Sequence, residues 1–236
     1  VPPMISPAPT PVPTKITSTF SMPCPAPWRC SPTAAAVTSL ATRIGRPRRS
    51  PSRRSRSDTL DAPSISRSLG PGETPIYGNI FRPTDFDPGR RYPVLFHVYG
   101  GPGSQEVLDA WGAGQGASNY LWHQYLADAF GVLVATVDNR GTGGRGKAFE
   151  SATYKQLGRL EAEDQIAAAK WFGSQRYVDA ERIGLWGWSY GGYLTLLAML
   201  YGDGPETFRT GVAVAPVTTW RYYDTIYTER YLSTPQ

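Results

Sequence analysis

Ser189 stands at the centre of Gly187-Trp188-Ser189-Tyr190-Gly191, with a glycine two positions away on each side. A serine hydroxyl attacks acyl groups when a base takes its proton and fixed donors hold the charge that develops on the substrate oxygen. The pattern alone would occur by chance in roughly one chain of this length in ten, so its setting decides. Gly184-Leu185-Trp186 before it reads as a buried strand, and Tyr190 to Tyr201 after it as a helix. A serine at the apex of so sharp a turn needs glycines around it, because strand and helix pass too closely there for a Cβ.

That arrangement is the nucleophile elbow of an α/β-hydrolase. An oxyanion hole in such a fold takes one donor from the backbone N–H after the nucleophile, here Tyr190. The other comes from the loop after an earlier strand, here Tyr99-Gly100-Gly101-Pro102-Gly103-Ser104-Gln105. The acid and the histidine of the triad follow the serine in chain order. Only 47 residues follow Ser189 and none is histidine. His97 sits in an upstream strand and His123 on an upstream helix, and neither is placed to act as the base. These 236 residues therefore name a chemistry that they are expected not to perform alone.

The elements that must position these residues are legible. Ile76 to Phe81 reads as an edge strand. Tyr92 to Tyr99 and Gly131 to Asp138 are nearly continuous apolar runs, as strands buried on both faces require. Arg182 to Trp186 and Gly211 to Ala215 complete the strands. Asn119 to Phe130 and Leu160 to Phe172 have helical spacing, the second with Ile166 and Trp171 facing inward. Strands alternating with helices predict a doubly wound, mostly parallel sheet, incomplete at its C-terminal side. Arg140 and Arg145 flank a glycine loop that lacks the G-K-[ST] ending of a phosphate cradle, and it reads as a structural turn.

Two different polymers meet near residue 70. Residues 1–70 hold 13 of the 22 prolines and carry ten basic and two acidic side chains; residues 71–236 carry 14 and 17. The net charges, +8 and −3, sum to the +5 of the whole chain. Composition thus predicts a tail without a stable fold over 1–70 and a partial hydrolase domain over 71–236. The run from Arg46 to Ser57 reads as a solvated linker, as out-of-frame text of a GC-rich gene, or as a basic arm for polyanions. Cys24 and Cys30 lie in this tail without partners that would make a zinc site or a disulfide framework. No apolar run reaches membrane-spanning length. The chain begins at Val1 with no visible signal peptide, which points to a missing N-terminal portion.

Four blocks carry a specific resemblance: Tyr99 to Gln105, Asp138-Asn-Arg-Gly-Thr-Gly143, Gly187 to Tyr193, and Ala215-Pro-Val-Thr-Thr-Trp-Arg-Tyr-Tyr-Asp-Thr-Ile-Tyr-Thr-Glu-Arg-Tyr231. From about residue 74 to its end the chain resembles the catalytic domain of the prolyl oligopeptidase family, in its dipeptidyl peptidase IV-like branch. The resemblance implies a serine peptidase that releases an N-terminal Xaa-Pro dipeptide through an acyl-enzyme on Ser189. It implies the Tyr99 phenol and the Tyr190 amide as oxyanion donors. Val217, Trp220, Tyr223 and Tyr227 resemble the lining of the pocket for a proline at P1, and a flat, apolar ring suits an aromatic slot. Asp224 among them reads as an orienting residue rather than a base. The family's triad partners lie beyond Gln236, and nothing in residues 1–70 resembles the β-propeller that precedes its hydrolase domain. No cofactor, metal or nucleic acid is implied. A homodimer is compatible with the intact enzyme, and the compartment is open between periplasm or secretion and cytoplasm. The rival readings are another hydrolase of the family, an acylaminoacyl-peptidase or endopeptidase, and a non-catalytic chain with a polyanion-binding tail.

Overall fold

The computed structural model describes residues 64–69, 74–108 and 117–234. Six strands form one sheet: β1 Ser64–Leu69, β2 Pro75–Phe81, β3 Tyr92–His97, β4 Leu133–Asp138, β5 Val178–Trp188 and β6 Thr210–Val214. Their spatial order is β1-β2-β4-β3-β5-β6. β1 and β2 pair antiparallel, as do β2 and β4. β4, β3, β5 and β6 run parallel. The chain thus places β3 inside β4 and then crosses back to add β5 on the other flank.

Helices cover both faces, as strands buried on both sides demand. α1, Ala117–Phe130, covers one face, where Phe81, Val132 and Val134 pack with Tyr120. On the other face Ile76, Ile80, Phe96, Leu133, Ala135 and Val137 pack with Ala162, Ile166, Ala169, Phe172, Leu194 and Ala198. The last six belong to α3, Arg159–Gly173, and α4, Tyr190–Leu200. The alternation along β4, with Val134 to one side and Leu133 and Ala135 to the other, follows from the two-residue period of a strand. Short helices α2, Lys147–Glu150, and α5, Gly204–Thr207, lie in connections, and α6, Thr225–Leu232, ends the described chain.

Three expectations change. Ile76 to Phe81 is not an edge strand, because β1 pairs along its outer side from Ser64↔Ile80 to Leu69↔Pro75. Regular structure therefore starts by residue 64, inside the segment that composition assigned to an unfolded tail. The Ser/Arg text of β1 hid it, since backbone pairing needs no apolar side chain. The rest of the tail, with its basic run and both cysteines, lies outside the described residues. Trp171 is half-buried against the core rather than fully inward. No helix of the described residues is long and apolar enough to cross a membrane.

Candidate active site

Ser189 occupies the turn between β5 and α4 with φ 57° and ψ −115°. This is left-handed territory that a non-glycine residue avoids, at a cost of about 1–3 kcal/mol. The turn is held open by its neighbours. Ser189 N–H donates to the Val214 carbonyl at 2.9 Å, and its own carbonyl accepts from Tyr193 N–H at 3.0 Å. A Cβ on Gly191 would lie 2.0 Å from the Val98 carbonyl oxygen, and one on Gly187 2.3 Å from the same atom. Both flanking glycines are thus required by the backbone of β3's end. The hydroxyl projects from a half-buried residue between exposed Trp188 and buried Tyr190.

The Tyr190 N–H is one of the orphan donors that every helix start leaves. Among the described residues it has no backbone acceptor. The Tyr99 ring lies 6.2 Å from the Tyr190 ring, on the loop that leaves β3. Burial raises the Tyr99 phenol above its ordinary pKa, with smaller pushes from Tyr223, Glu106 and Tyr231. A phenol shifted upward keeps its proton at neutral pH and so remains a hydrogen-bond donor.

Beyond Tyr190 an aromatic wall follows. Trp220 packs on Tyr190 at 5.7 Å and on Tyr193 at 5.3 Å. Tyr223 and Tyr227 meet Trp220 at 5.8 and 6.0 Å, the latter pair stacked within 10°. Tyr231 continues the row against Tyr227 at 4.8 Å. The wall rides on the 3₁₀ turn Trp220–Tyr222, on the extended Tyr223 that ends it, and on α6. Asp224 caps α6 by accepting the Tyr227 backbone N–H at 2.8 Å. The structure thus brings together Tyr99, Tyr190, Trp220, Tyr223 and Tyr227. Val217 stands apart from these ring contacts, half-buried in the loop that leaves β6.

Below the turn lies a set of polar contacts that motif reading missed. The Glu161 carboxylate, fully buried, accepts the Tyr190 O–H at 2.8 Å and the Gly158 N–H at 2.9 Å. Burial pushes its pKa up to about 7. One turn on, Asp164 takes the Arg140 guanidinium through both oxygens and its backbone N–H at 2.8 Å. Gln165 donates to Asn139 Oδ1 at 2.9 Å, and Asn139 in turn donates to the Gly100 carbonyl at 3.0 Å. A Cβ on Gly100 would strike that same Asn139 oxygen at 2.5 Å. Three polar side chains on the inner face of α3 therefore hold the turn after β5, the loop after β3 and the loop after β4. The sequence signal available for Glu161 was its place three residues after the Gly158 cap, where a carboxylate closes a capping box. Arg145 reaches the Pro75 and Asp138 carbonyls, which fits the structural role read for this loop.

The histidines lie elsewhere. His97 and His123 pack on one another at 4.8 Å, and both contact Trp186. Burial lowers them to about 4 and about 3, the second also through repulsion by the first. Among the described residues, His97 Nδ1 and His123 Nε2 have no hydrogen-bond partner.

A mostly parallel sheet in this strand order, with a serine at the turn from β5 into a helix, is an α/β-hydrolase fold. Residues 118–236, half of the chain, match the sequence profile of the prolyl oligopeptidase family, and the chain belongs to that family. It is 51% identical over 155 residues to a probable dipeptidyl-aminopeptidase B of Ajellomyces dermatitidis, covering 66% of this chain and 16% of that protein. Among solved structures it is similar to the dipeptidyl peptidase 4 of Porphyromonas gingivalis. The TM-score is 0.67 and the identity 47%, over 75% of this chain and 24% of that one. A putative dipeptidyl aminopeptidase IV from Bacteroides ovatus matches with TM-score 0.65 and 41% identity, over 73% of this chain and 24% of that one. The chain thus spans about a sixth of the length of the curated relative and about a quarter of each solved chain.

Proposed function

We propose that this chain carries the nucleophile half of a serine dipeptidyl-peptidase, and that the intact enzyme releases N-terminal dipeptides with proline at P1. The observation that carries the reading is the juxtaposition of Ser189, in its strained turn, with a row of five aromatic rings that begins at the residue beside it. In the reaction the Ser189 Oγ bonds to the scissile carbonyl carbon, and the carbonyl π electrons move onto oxygen. The Tyr190 N–H and the Tyr99 O–H receive that oxyanion, and one such donor contributes about 2.7–4 kcal/mol to the transition state. The C–N bond then breaks, and the proton first taken from Ser189 by a general base goes to the leaving amine. Water hydrolyses the ester by the same route. The base is neither of the chain's two histidines, since both are buried around Trp186 with lowered pKa.

The names of the relatives support release of dipeptides, and the aromatic wall supports a flat apolar P1 ring. Val217 completes the slot in this reading. The test is a dipeptidyl-proline chromogenic assay on the 236-residue chain and on the chain extended by the C-terminal segment of a relative. Turnover is expected only in the extended form, and Ser189→Ala should abolish it. Turnover by the unextended chain would show a base within these residues. A preference of the extended form for acylated or internal peptides would move the reading to another hydrolase of the family.

A further inference from the structure

We propose that Glu161 is a positioning residue for the oxyanion hole: one carboxylate oxygen holds the Tyr190 phenol, the other holds the start of α3, and together they fix where the Tyr190 N–H points. The inference rests on the reading of that N–H as an oxyanion donor. Its basis is geometric. Tyr190 has backbone and side chain committed to different tasks at the tightest turn of the fold. The ring is almost fully buried, between Tyr99, Tyr193 and Trp220. Its only anchored polar atom is the phenol oxygen, on Glu161 Oε1. Glu161 Oε2 is spent on Gly158, whose φ of 104° and contacts with Tyr193 and Leu197 leave no room for a side chain. Three rings hold the Tyr190 ring and Glu161 holds its phenol, which together restrain the two torsions that connect it to the Tyr190 amide.

Glutamine at 161 can reproduce both contacts, accepting from Gly158 N–H and donating to the Tyr190 oxygen, but it cannot ionise. Alanine loses both. The charged and titratable groups around Glu161 are Asp164 on its own helix, Arg140 on the loop after β4, Tyr190 and Tyr193 on α4, and Tyr227 on α6.

The experiment is a pH titration of backbone amide resonances on the full 236-residue chain, wild type and the variants Glu161→Gln, Glu161→Ala and Tyr190→Phe. In the wild type both the Gly158 and Tyr190 amides should move with one midpoint near pH 7, as the carboxyl does. Glu161→Gln should leave both flat at positions close to the wild-type acid limit. Glu161→Ala should displace the Tyr190 amide at every pH. Tyr190→Phe should silence the response at residue 190 and keep it at Gly158. A Tyr190 amide that stays fixed from pH 5.5 to 8.5 while Gly158 titrates overturns the proposal and leaves Glu161 a helix cap. So does an unchanged response at residue 190 in Tyr190→Phe. None of these readouts needs peptidase activity, so failure of the functional reading in the chromogenic assay is seen separately.

Discussion

Replacing Glu161 by glutamine should remove a pH dependence of folding stability that the wild-type chain carries between about pH 4.5 and 7. The carboxyl has an ordinary value of 4.5 and is pushed to about 7 in the fold, first by burial and then by repulsion from Asp164. The Gly158 N–H and the Tyr190 O–H pull the other way without overcoming burial. A folded-state value above the unfolded one means the folded chain holds the proton more tightly. The contribution to stability is therefore fully present below 4.5 and is lost as pH rises to about 7. At about 1.36 kcal/mol per pH unit, that interval corresponds to about 3 kcal/mol. The buried histidine pair works in the opposite sense over an overlapping range, so the wild-type curve alone does not isolate Glu161. The difference between wild type and Glu161→Gln does, because the histidines are common to both. Urea unfolding followed by tryptophan fluorescence at steps from pH 4.5 to 8 gives the two curves. Their separation should change by about 3 kcal/mol across the range, the wild type losing ground as pH rises. Parallel curves would mean that Glu161 ionises in the fold as readily as in water, and the account of its burial would be wrong.

Three further outcomes are expected. Gly191→Ala places a Cβ 2.0 Å from the Val98 carbonyl and has no flexible side chain to push aside, so overpacking should cost at least about 1–3 kcal/mol in urea unfolding. In the extended enzyme, Trp220→Ala should lower turnover of Xaa-Pro substrates at least tenfold, and Tyr223→Ala, already 39% exposed, should do so with a change in unfolding free energy under about 1 kcal/mol. Equal losses of turnover and stability at Tyr223 would return it to the core. The His97–His123 pair stays neutral because burial lowers both below their ordinary 6.5, so its stabilisation is present above 6.5 and is lost as pH falls toward 4 and then 3. Wild-type unfolding below pH 5 should therefore be steeper in pH than that of His123→Phe; equal slopes would place the acid transition elsewhere.

Much of this architecture was legible because buried parallel strands write themselves as apolar runs. Tyr92 to Tyr99, Gly131 to Asp138 and the strand before Ser189 all stand where those runs fall, and the glycines at 187 and 191 marked the turn. Trp220, Tyr223 and Tyr227 were legible only through the long block from Ala215 to Tyr231, because a break at Tyr223 and Asp224 separates the 3₁₀ turn from α6 and no single helical period carries their rings. What the sequence hid were contacts between residues distant along the chain. His97 and His123 lie 26 positions apart and read as unrelated until β3 and α1 bring them against Trp186. Glu161, in the first turn of a helix, reads like any acidic residue that complements a helix start. Only the fold shows that Tyr190 comes to rest on its carboxylate. β1 was hidden for the opposite reason, because SISRSL has only Ile65 and Leu69 among serines and arginine and lacks the continuous apolar run that announces an interior strand, yet it pairs along β2.

The buried stripe Glu161, Asp164 and Gln165 gives α3 the role of a common datum. Tyr190 is referred to it through Glu161, and the Gly100 end of the Tyr99 loop through Gln165 and Asn139. In the proposed reading, the two donors that close on one oxygen are thus measured from the same helix rather than from each other. When α3 shifts along the sheet it carries both with it, and the gap between them is preserved to first order. Slack in either tether changes that gap directly. Tolerance at this site is therefore set by two polar side chains on one helix, Glu161 and Gln165, and a segment exchanged between relatives keeps its alignment only if it is exchanged with α3.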